Sequence, residues 1–146
     1  MTNNEAANMF YELADLLDLA GELPFKSSAY RKVATGLRKL DTPFDRLVSA
    51  GHLSKIPGAG KAIKEKLKTM AETGNLPALD KWRKHEIAVF YPWAIGLKLK
   101  PRSFGILVRK LEAADFKDLL AKLKKQDIAK LTGRAKEAAN IIMGNN

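Results

Sequence analysis

The spacing of apolar residues constrains the fold most strongly, because it follows the period of an α-helix along the chain. In residues 6–20, apolar side chains recur every three or four positions, as they do on one face of an amphipathic helix. The same spacing returns in later segments, and strict alternation never lasts long enough for a β-strand. We therefore predict an all-α fold built from short helices.

Residues with known capping preferences indicate where the predicted helices begin and end. Thr2 and Glu5 have the spacing of a capping box, in which a hydroxyl and a carboxylate accept the first free amides of a helix. Gly21 is expected to end that helix, since glycine adopts the left-handed conformation of a C-terminal cap. Ser27 or Ser28 is the predicted cap of the second helix, and Pro92 is predicted to interrupt a helix in the second half.

The charge distribution favours a polyanionic partner. The chain has 146 residues with 26 Lys+Arg against 16 Asp+Glu, a formal net charge of +10. Residues 1–24 carry five acids and no Lys or Arg, residues 25–80 carry 11 basic and 5 acidic residues, and residues 81–146 carry 15 and 6. The absence of cysteine excludes disulfides, thiolate nucleophiles and Cys-ligated metals. Lysines along helices often form only a solvated face, so their position in the fold decides whether they contact a polyanion.

Residues 53–63 contain the most informative motif, a Pro-Gly-Ala-Gly loop between apolar flanks. Gly58 and Gly60 permit a tight turn and expose backbone amides. These amides lead into a predicted helix N-terminus, where free N–H groups and the helix dipole favour an anion. Lys61, Lys64 and Lys68 follow on one face of that helix. Phosphate contacts of this kind carry no base information, so the motif predicts DNA binding without sequence specificity.

The predicted DNA-binding residues lie in this loop, in the helix after it and in the segment before it. They are Lys26, Arg31, Lys32, Lys55, Gly58, Ala59, Gly60, Lys61, Lys64 and Lys68.

Two sets of residues resemble known motifs. The run Ile56-Pro57-Gly58-Ala59-Gly60, with Ile63 and Leu67 after it, resembles a helix-hairpin-helix motif. A wider pattern over residues 5–82 resembles the N-terminal domain of family X DNA polymerases; it comprises Phe25, Ala29-Tyr30-Arg31-Lys32, Ala34, Gly51, Leu53, the hairpin and Glu72-Thr73-Gly74-Asn75-Leu76.

The resemblance predicts two closely packed helical subdomains. Residues 1–80 would form the helix-hairpin-helix domain, and residues 81–146 a basic subdomain that resembles, more weakly, a degenerate second helix-hairpin-helix region. In the second part, residues 94–98 stand where a Pro-Gly hairpin is expected. Residues 131–136 resemble a further, degenerate copy of the hairpin.

The resemblance also implies partners and a site. It implies binding to gapped, nicked or terminal DNA structures in DNA repair, with a repair protein as a further candidate partner. No cofactor is required, but the main-chain carbonyls of Ser54, Ile56 and Ala59 match those that hold Na⁺ or K⁺ in the family. The chain lacks the polymerase palm, so we expect no polymerase activity.

No run of about 18 apolar residues is present. The polar start resembles no signal peptide, so we expect a cytoplasmic, nucleoid-associated protein without a membrane partner.

Whether the protein is also an enzyme stays open at this stage. Lys66 aligns with the Schiff-base lysine with which family members remove a 5′-deoxyribose phosphate, and Tyr30 aligns with a supporting tyrosine. Lys26 aligns with a phosphate-contacting lysine, whereas Ala62 and Ala78 stand where the family has basic residues. The alternative is that Lys66 is a surface lysine whose methylenes cover apolar surface.

Two further alternatives remain open. The hairpin could be vestigial, in which case the protein would be an adaptor whose basic second half meets an acidic protein. Trp82 and Trp93 either pack between the two halves or stack on an exposed base.

Overall fold

Every regular element that the computed structural model describes, over residues 1–144, is helical, and this confirms the predicted all-α class. None of these helices is both long and apolar enough to cross a membrane. The α-helices are α1 (Asn3–Ala20), α2 (Pro24–Arg38), α3 (Phe44–Ser49), α4 (Lys61–Thr73), α5 (Pro77–Arg83), α6 (Tyr91–Gly96), α7 (Pro101–Leu111), α8 (Phe116–Lys125) and α9 (Gly133–Ile142). Short 3₁₀ turns occupy Leu53–Lys55, Glu86–Phe90 and Ile128–Lys130.

The ends of α1 follow the sequence prediction. The Glu5 amide donates to Thr2 Oγ1 at 3.0 Å and the Thr2 amide donates to Glu5 Oε2 at 3.1 Å, which is a reciprocal capping box. At the other end Gly21 has φ +79°, and the Glu22 amide reaches back to the Leu17 carbonyl at 2.9 Å. This is the bonding pattern of a glycine-terminated helix, so local sequence sets both ends of α1.

Two predictions about helix ends were wrong. Helix α2 begins at Pro24 rather than after Ser27 or Ser28, because proline is preorganised for the first helical position and needs no amide partner there. Ser27 is buried and donates from Oγ to the Pro24 carbonyl at 3.1 Å. Pro92 lies in the first turn of α6 and therefore begins a helix instead of interrupting one.

The described chain divides into two compact units. Unit 1 comprises Met1–Ala14 and Leu23–Lys84, and unit 2 comprises Asp15–Glu22 with the described residues from His85 onward. Each unit has its own apolar interior. In unit 1, α1 to α5 bury Phe10, Leu13, Val33, Leu37, Phe44, Leu67, Met70 and Leu79. In unit 2 the largest buried side chains include Leu16, Leu19, Phe90, Phe104, Leu107, Leu119 and Leu131.

Ionic contacts tie the acidic side of α1 to basic residues within each unit. In unit 1, Arg83 donates from Nε and Nη2 to the two carboxylate oxygens of Glu12, at 2.6 and 2.9 Å. In unit 2, Arg102 donates to Asp18 at 2.6 Å, and Arg109 donates to the Leu19 carbonyl at 2.7 Å. Partial burial lowers the pKa of Arg109, and the positive charge of Arg102 lowers it further by a smaller amount.

Candidate nucleic-acid interface

The hairpin, residues 53–61, is an exposed loop held by two buried apolar anchors. Leu53 and Ile56 are 5% and 2% exposed, and they fix the 3₁₀ turn to the interior of unit 1. Beyond Ile56 the backbone turns at Gly58, whose φ of +81° is the left-handed conformation that favours glycine. Gly60 is extended, with φ −74° and ψ −179°, and is the N-cap of α4. The anchors therefore present the loop to solvent in a defined conformation.

Close backbone contacts fix the hairpin against α2. A Cβ atom on Gly36 of α2 would lie 3.0 Å from Pro57 Cδ, so only glycine admits the hairpin without a shift. A Cβ atom on Gly58 would lie 3.0 Å from Lys32 Cγ, so the stem of Lys32 lies against the turn. Helix α2 thus brings the predicted DNA-binding residue Lys32 directly to the loop.

Several backbone amides in the turn and at the start of α4 have no acceptor among the described residues. The Ala59 amide donates to the Ile56 carbonyl at 3.2 Å and the Gly60 amide donates to the Gly58 carbonyl at 3.0 Å, so these two are used inside the turn. Among the described residues, no carbonyl accepts the amides of Gly58, Lys61, Ala62 and Ile63; the first amide that α4 satisfies is that of Lys64, which donates to Gly60. Such a group of donors at the positive end of a helix is suited to an anion.

The three lysines predicted on one face of α4 have different surroundings. Lys61 is exposed at the first helical position. Lys64 is half-buried and donates from Nζ to Ser54 Oγ at 3.0 Å, which ties α4 to the 3₁₀ turn. Lys68 is exposed and pairs with Glu65 at 3.2 Å. A surface pair of this kind contributes little to stability, so Lys68 can exchange its partner for a phosphate.

A basic groove of about 360 Å³ runs between α2 and the hairpin. It is lined by Arg31, Lys32, Thr35, Gly36, Lys39 and Pro57. The structure therefore brings together two predicted DNA-binding residues, Arg31 and Lys32, and a third basic residue, Lys39, that was not predicted from the sequence. The available signal was the spacing of Lys32 and Lys39, because positions seven apart lie on one helical face. Lys26 and Lys55 are exposed but do not line this groove.

Lys66 and Tyr30 are neighbours in unit 1. Lys66 Nζ lies 5.9 Å from the centroid of the Tyr30 ring, and that ring stacks on Phe10 with centroids 5.8 Å apart. Lys66 is half-buried at the edge of the stripe formed by Ile63, Leu67 and Met70, as the helical period predicts. It lines an open groove of about 390 Å³ together with Ala62, Glu65, Thr69, Pro77 and Ala78.

The three carbonyls predicted to hold a monovalent cation also lie in the hairpin. Among the described residues, the Ile56 carbonyl accepts the Ala59 amide, whereas the carbonyls of Ser54 and Ala59 accept no hydrogen bond. Neutral main-chain oxygens of this type replace the hydration shell of alkali cations in proteins, so the donor set fits Na⁺ or K⁺.

Unit 2 contains a shorter turn of related form, which we call the second hairpin (residues 128–136). A 3₁₀ turn at Ile128–Lys130 leads through buried Leu131 to Gly133, which has φ +55°, and α9 begins at that glycine. Residues 94–98, which stand where a Pro-Gly hairpin is expected, form the end of α6 and the turn after it, in which Lys98 has φ +54°. There a lysine, rather than glycine, occupies the left-handed position.

Comparison with known proteins agrees with this geometry. The sequence profile of the helix-hairpin-helix domain matches residues 1–76, just over half of the chain. The chain therefore belongs to the helix-hairpin-helix domain family. Domains of this family are in general nucleic-acid-binding motifs, which is consistent with DNA binding. No curated protein sequence matches the chain significantly.

Proposed function

We propose that the protein binds DNA without sequence specificity and that the hairpin grips the sugar-phosphate backbone. The observation that carries this proposal is a group of four amides that have no acceptor among the described residues, one in the turn at Gly58 and three in the first turn of α4, on Lys61, Ala62 and Ile63. Such amides bind a phosphate oxygen through hydrogen bonds and the helix dipole, and the Lys61 ammonium adds a full charge beside them. Since all phosphates along DNA are alike, this contact reads no sequence.

The basic groove extends this surface along α2. Lys32 and Lys39 are exposed, and both line the groove beside Pro57. Neighbouring phosphates follow one another along a DNA strand, so a row of cations next to the amide group binds a second position of the same backbone. Each neutralised phosphate releases counterions, and the affinity therefore falls steeply as salt increases.

The preferred DNA in this proposal has a gap, a nick or an end. The resemblance of residues 5–82 to the N-terminal domain of family X DNA polymerases supports this choice. A 5′-terminal phosphate carries more negative charge than an internal diester, so a helix N-terminus binds it more strongly. The same proposal places the protein in DNA repair, in the cytoplasm and associated with the nucleoid, with a repair protein as a further partner.

We propose that a Na⁺ or K⁺ ion bound by the carbonyls of Ser54, Ile56 and Ala59 assists this grip. The ion would supply a positive charge that faces the phosphate; no other cofactor is part of the proposal. The test replaces K⁺ with tetramethylammonium at constant ionic strength, because that cation is too large for a cluster of carbonyls. We expect weaker binding of gapped DNA, and an unchanged affinity would contradict the ion site.

Fluorescence anisotropy tests the DNA-binding proposal. The probes are a duplex with a one-nucleotide gap and a 5′ phosphate, the same gapped duplex without that phosphate, and an intact duplex, each at low and moderate salt. We expect salt-sensitive binding of all three and the tightest binding of the phosphorylated gap. Equal affinity for all three would contradict the preference for gaps. Absence of binding at low salt would contradict DNA binding itself and would favour the adaptor interpretation.

A second candidate function is a 5′-deoxyribose-phosphate lyase, which the groove beside Lys66 favours. In this reaction the Lys66 amine attacks C1′ of the ring-opened abasic sugar, and water leaves as the imine forms. The imine acidifies the C2′ proton, which passes to water as the C2′=C3′ double bond forms and the C3′–O bond to the 3′ phosphate breaks. Water then hydrolyses the imine and frees Lys66. Lys66 lines the groove in which Ala62 and Ala78 leave room for a sugar, and the Tyr30 ring lies 5.9 Å from Lys66 Nζ without lining that groove.

Borohydride trapping tests the lyase, because it reduces the imine to a stable covalent adduct. We expect an adduct of the wild-type protein with incised abasic DNA and none with Lys66→Ala. Lys81→Ala is the matched control, since this exposed lysine of α5 lines neither groove. Equal adduct yields from wild type and Lys66→Ala would contradict the assignment.

A further inference from the structure

Trp93 in α6 is unusually exposed for a residue of its size. Its exposed fraction is 45%, whereas tryptophan is on average one of the more buried residue types. Val89 and Ile95, close to it in sequence, are also about half exposed, at 50% and 55%. An indole in such a position is either a single surface residue or part of a binding site, and its contacts distinguish the two.

The indole is held rigidly by a parallel stack. Its ring lies 4.0 Å from that of Phe116, centroid to centroid, with 7° between the planes. Phe116 is only 7% exposed and makes an edge contact with Phe104, which makes another with Phe90. This column of buried rings fixes the plane of the indole and covers one of its faces. The exposure of Trp93 therefore belongs to the opposite face and to the edge.

Basic residues lie close in sequence to the two stacked rings. Lys98, in the turn after α6, and Lys117, next to Phe116, are both exposed. Two acids close to Phe116 in the sequence already accept backbone hydrogen bonds: Asp115, the N-cap of α8, from the Asp118 amide at 2.8 Å, and Asp118 from the Ala114 amide at 2.9 Å. An exposed aromatic face in a basic stretch of the chain suits a ligand that is itself flat, aromatic and anionic.

We propose that Trp93 is a stacking platform for an unpaired base of single-stranded DNA. This inference rests on the proposed DNA-binding function and adds to it a separate contact in unit 2. An aromatic side chain stacks on any unstacked base, while nearby lysines attract the phosphates on either side. An intact duplex offers no free base face, so the platform distinguishes single strands, such as those at gaps and ends, from intact duplex.

Intrinsic fluorescence tests the stack directly. The Trp82→Phe variant leaves Trp93 as the sole tryptophan of the chain. We expect a short single-stranded thymidine oligonucleotide to quench its emission and an intact duplex to leave it unchanged. An oligonucleotide that binds by anisotropy without changing the emission would overturn the proposal and would leave the exposed indole as a docking face for a protein.

Affinity measurements on the full chain give the second test. Trp93→Ala should weaken binding of the single strand by about tenfold, and Trp93→Phe by less, because phenylalanine keeps part of the stack. The matched control is Ile95→Ala, an exposed apolar residue of the same helix, which should leave the affinity unchanged. Circular dichroism of each variant verifies that unit 2 remains folded.

The outcomes separate this inference from the proposed function. Duplex binding that is unchanged in Trp93→Ala, together with loss of single-strand binding, supports the platform. Equal single-strand affinity of Trp93→Ala and wild type overturns the platform and leaves the hairpin proposal intact. If the wild-type protein binds neither single strand nor duplex, both the platform and the proposed function are wrong.

Discussion

The hairpin of unit 1 and the second hairpin of unit 2 begin in the same way. Each has a three-residue 3₁₀ turn that ends in lysine, at Leu53–Lys55 and at Ile128–Lys130. In each, the next residue is apolar and buried, 2% exposed for Ile56 and 1% for Leu131. A glycine with positive φ occurs two residues later in both, so the same local rules shape both turns.

The two hairpins differ in the residues between that glycine and the next helix. Helix α4 begins three residues after Gly58, and the intervening Ala59 and Gly60 carry at most a methyl group. Helix α9 begins at Gly133 itself, with Thr132 before it and exposed Arg134 after it. Among the described residues the amides at the start of α9 also have no acceptor, but Thr132 and Arg134 beside them carry larger side chains than Ala59 and Gly60 in the first hairpin. We infer that the first is a binding hairpin and the second is mainly structural.

Replacement of the turn glycines should give the largest contrast. Gly58→Ala and Gly133→Ala each force an L-residue to positive φ, which costs about 1–2 kcal/mol in the free energy of unfolding. Gly58→Ala also displaces Lys32 and the amides, so we expect its affinity for duplex DNA to fall at least about tenfold, since hydrogen bonds to a charged group contribute about 1.5–3 kcal/mol. Gly133→Ala should change the affinity by about twofold or less. Denaturant unfolding and anisotropy measure both effects, and equal losses of affinity would break the distinction.

Gly60→Ala separates binding from folding within the first hairpin. The backbone of Gly60 is extended and a Cβ atom there meets nothing within 4 Å, so the free energy of unfolding should be unchanged. The added methyl group would stand beside the open amides, and we expect the affinity for intact duplex to fall by about fivefold, part of the energy of a charge-assisted hydrogen bond. Gly96→Ala is the matched control, because its Cβ atom also meets nothing. Unchanged affinity in Gly60→Ala would contradict close approach of a phosphate to this loop.

The lysines at equivalent positions of the two hairpins give a smaller contrast. Lys61 and Lys136 each lie three residues after the turn glycine, and both are exposed. Affinity falls with salt, and Lys61→Ala should reduce the magnitude of the slope of log affinity against log salt by about one, as removal of one phosphate contact does. Lys136→Ala should lower it by less than half as much. A full unit of slope lost in Lys136→Ala would show that the second hairpin also contacts phosphate.

Ser54→Ala should have the smallest effect on DNA affinity. The substitution makes the first 3₁₀ turn resemble the second, where Ala129 occupies the equivalent position. The change removes the acceptor of Lys64 Nζ, an exposed contact worth about 0.5 kcal/mol or less in unfolding free energy. The carbonyl of residue 54 and the amides of α4 remain in place, so duplex affinity should stay within about twofold. A large loss in anisotropy would indicate that the Ser54 hydroxyl itself contacts DNA.

Features that depend on local sequence could be predicted, and long-range contacts could not. The capping box of α1 and the buried stripe of α4 depend on residues three or four positions apart, so periodicity and capping preferences were sufficient. The start of α2 was mispredicted because two local rules competed, and Pro24 at the first helical position prevailed over the serines. The hairpin loop could be predicted because Pro57, Gly58 and Gly60 lie within four consecutive residues.

The way in which other elements complete the site could not be predicted from the sequence. The approach of Pro57 to Gly36 joins residues 21 positions apart, and nothing near Gly36 in the sequence indicates it. Lys39 became a candidate only when that approach placed it in the groove beside Pro57. The stack of Trp93 on Phe116 likewise joins different helices and therefore required the tertiary structure.

A backbone amide NMR titration with a short gapped duplex tests the central claim most directly, because it reports which residues meet DNA. We predict that the largest shifts fall on Gly58 and on Lys61, Ala62 and Ile63, with smaller shifts along the groove side of α2, and that all of them diminish as salt is raised. Shifts confined to residues 85–144, with the amides at the start of α4 unmoved, would contradict the account.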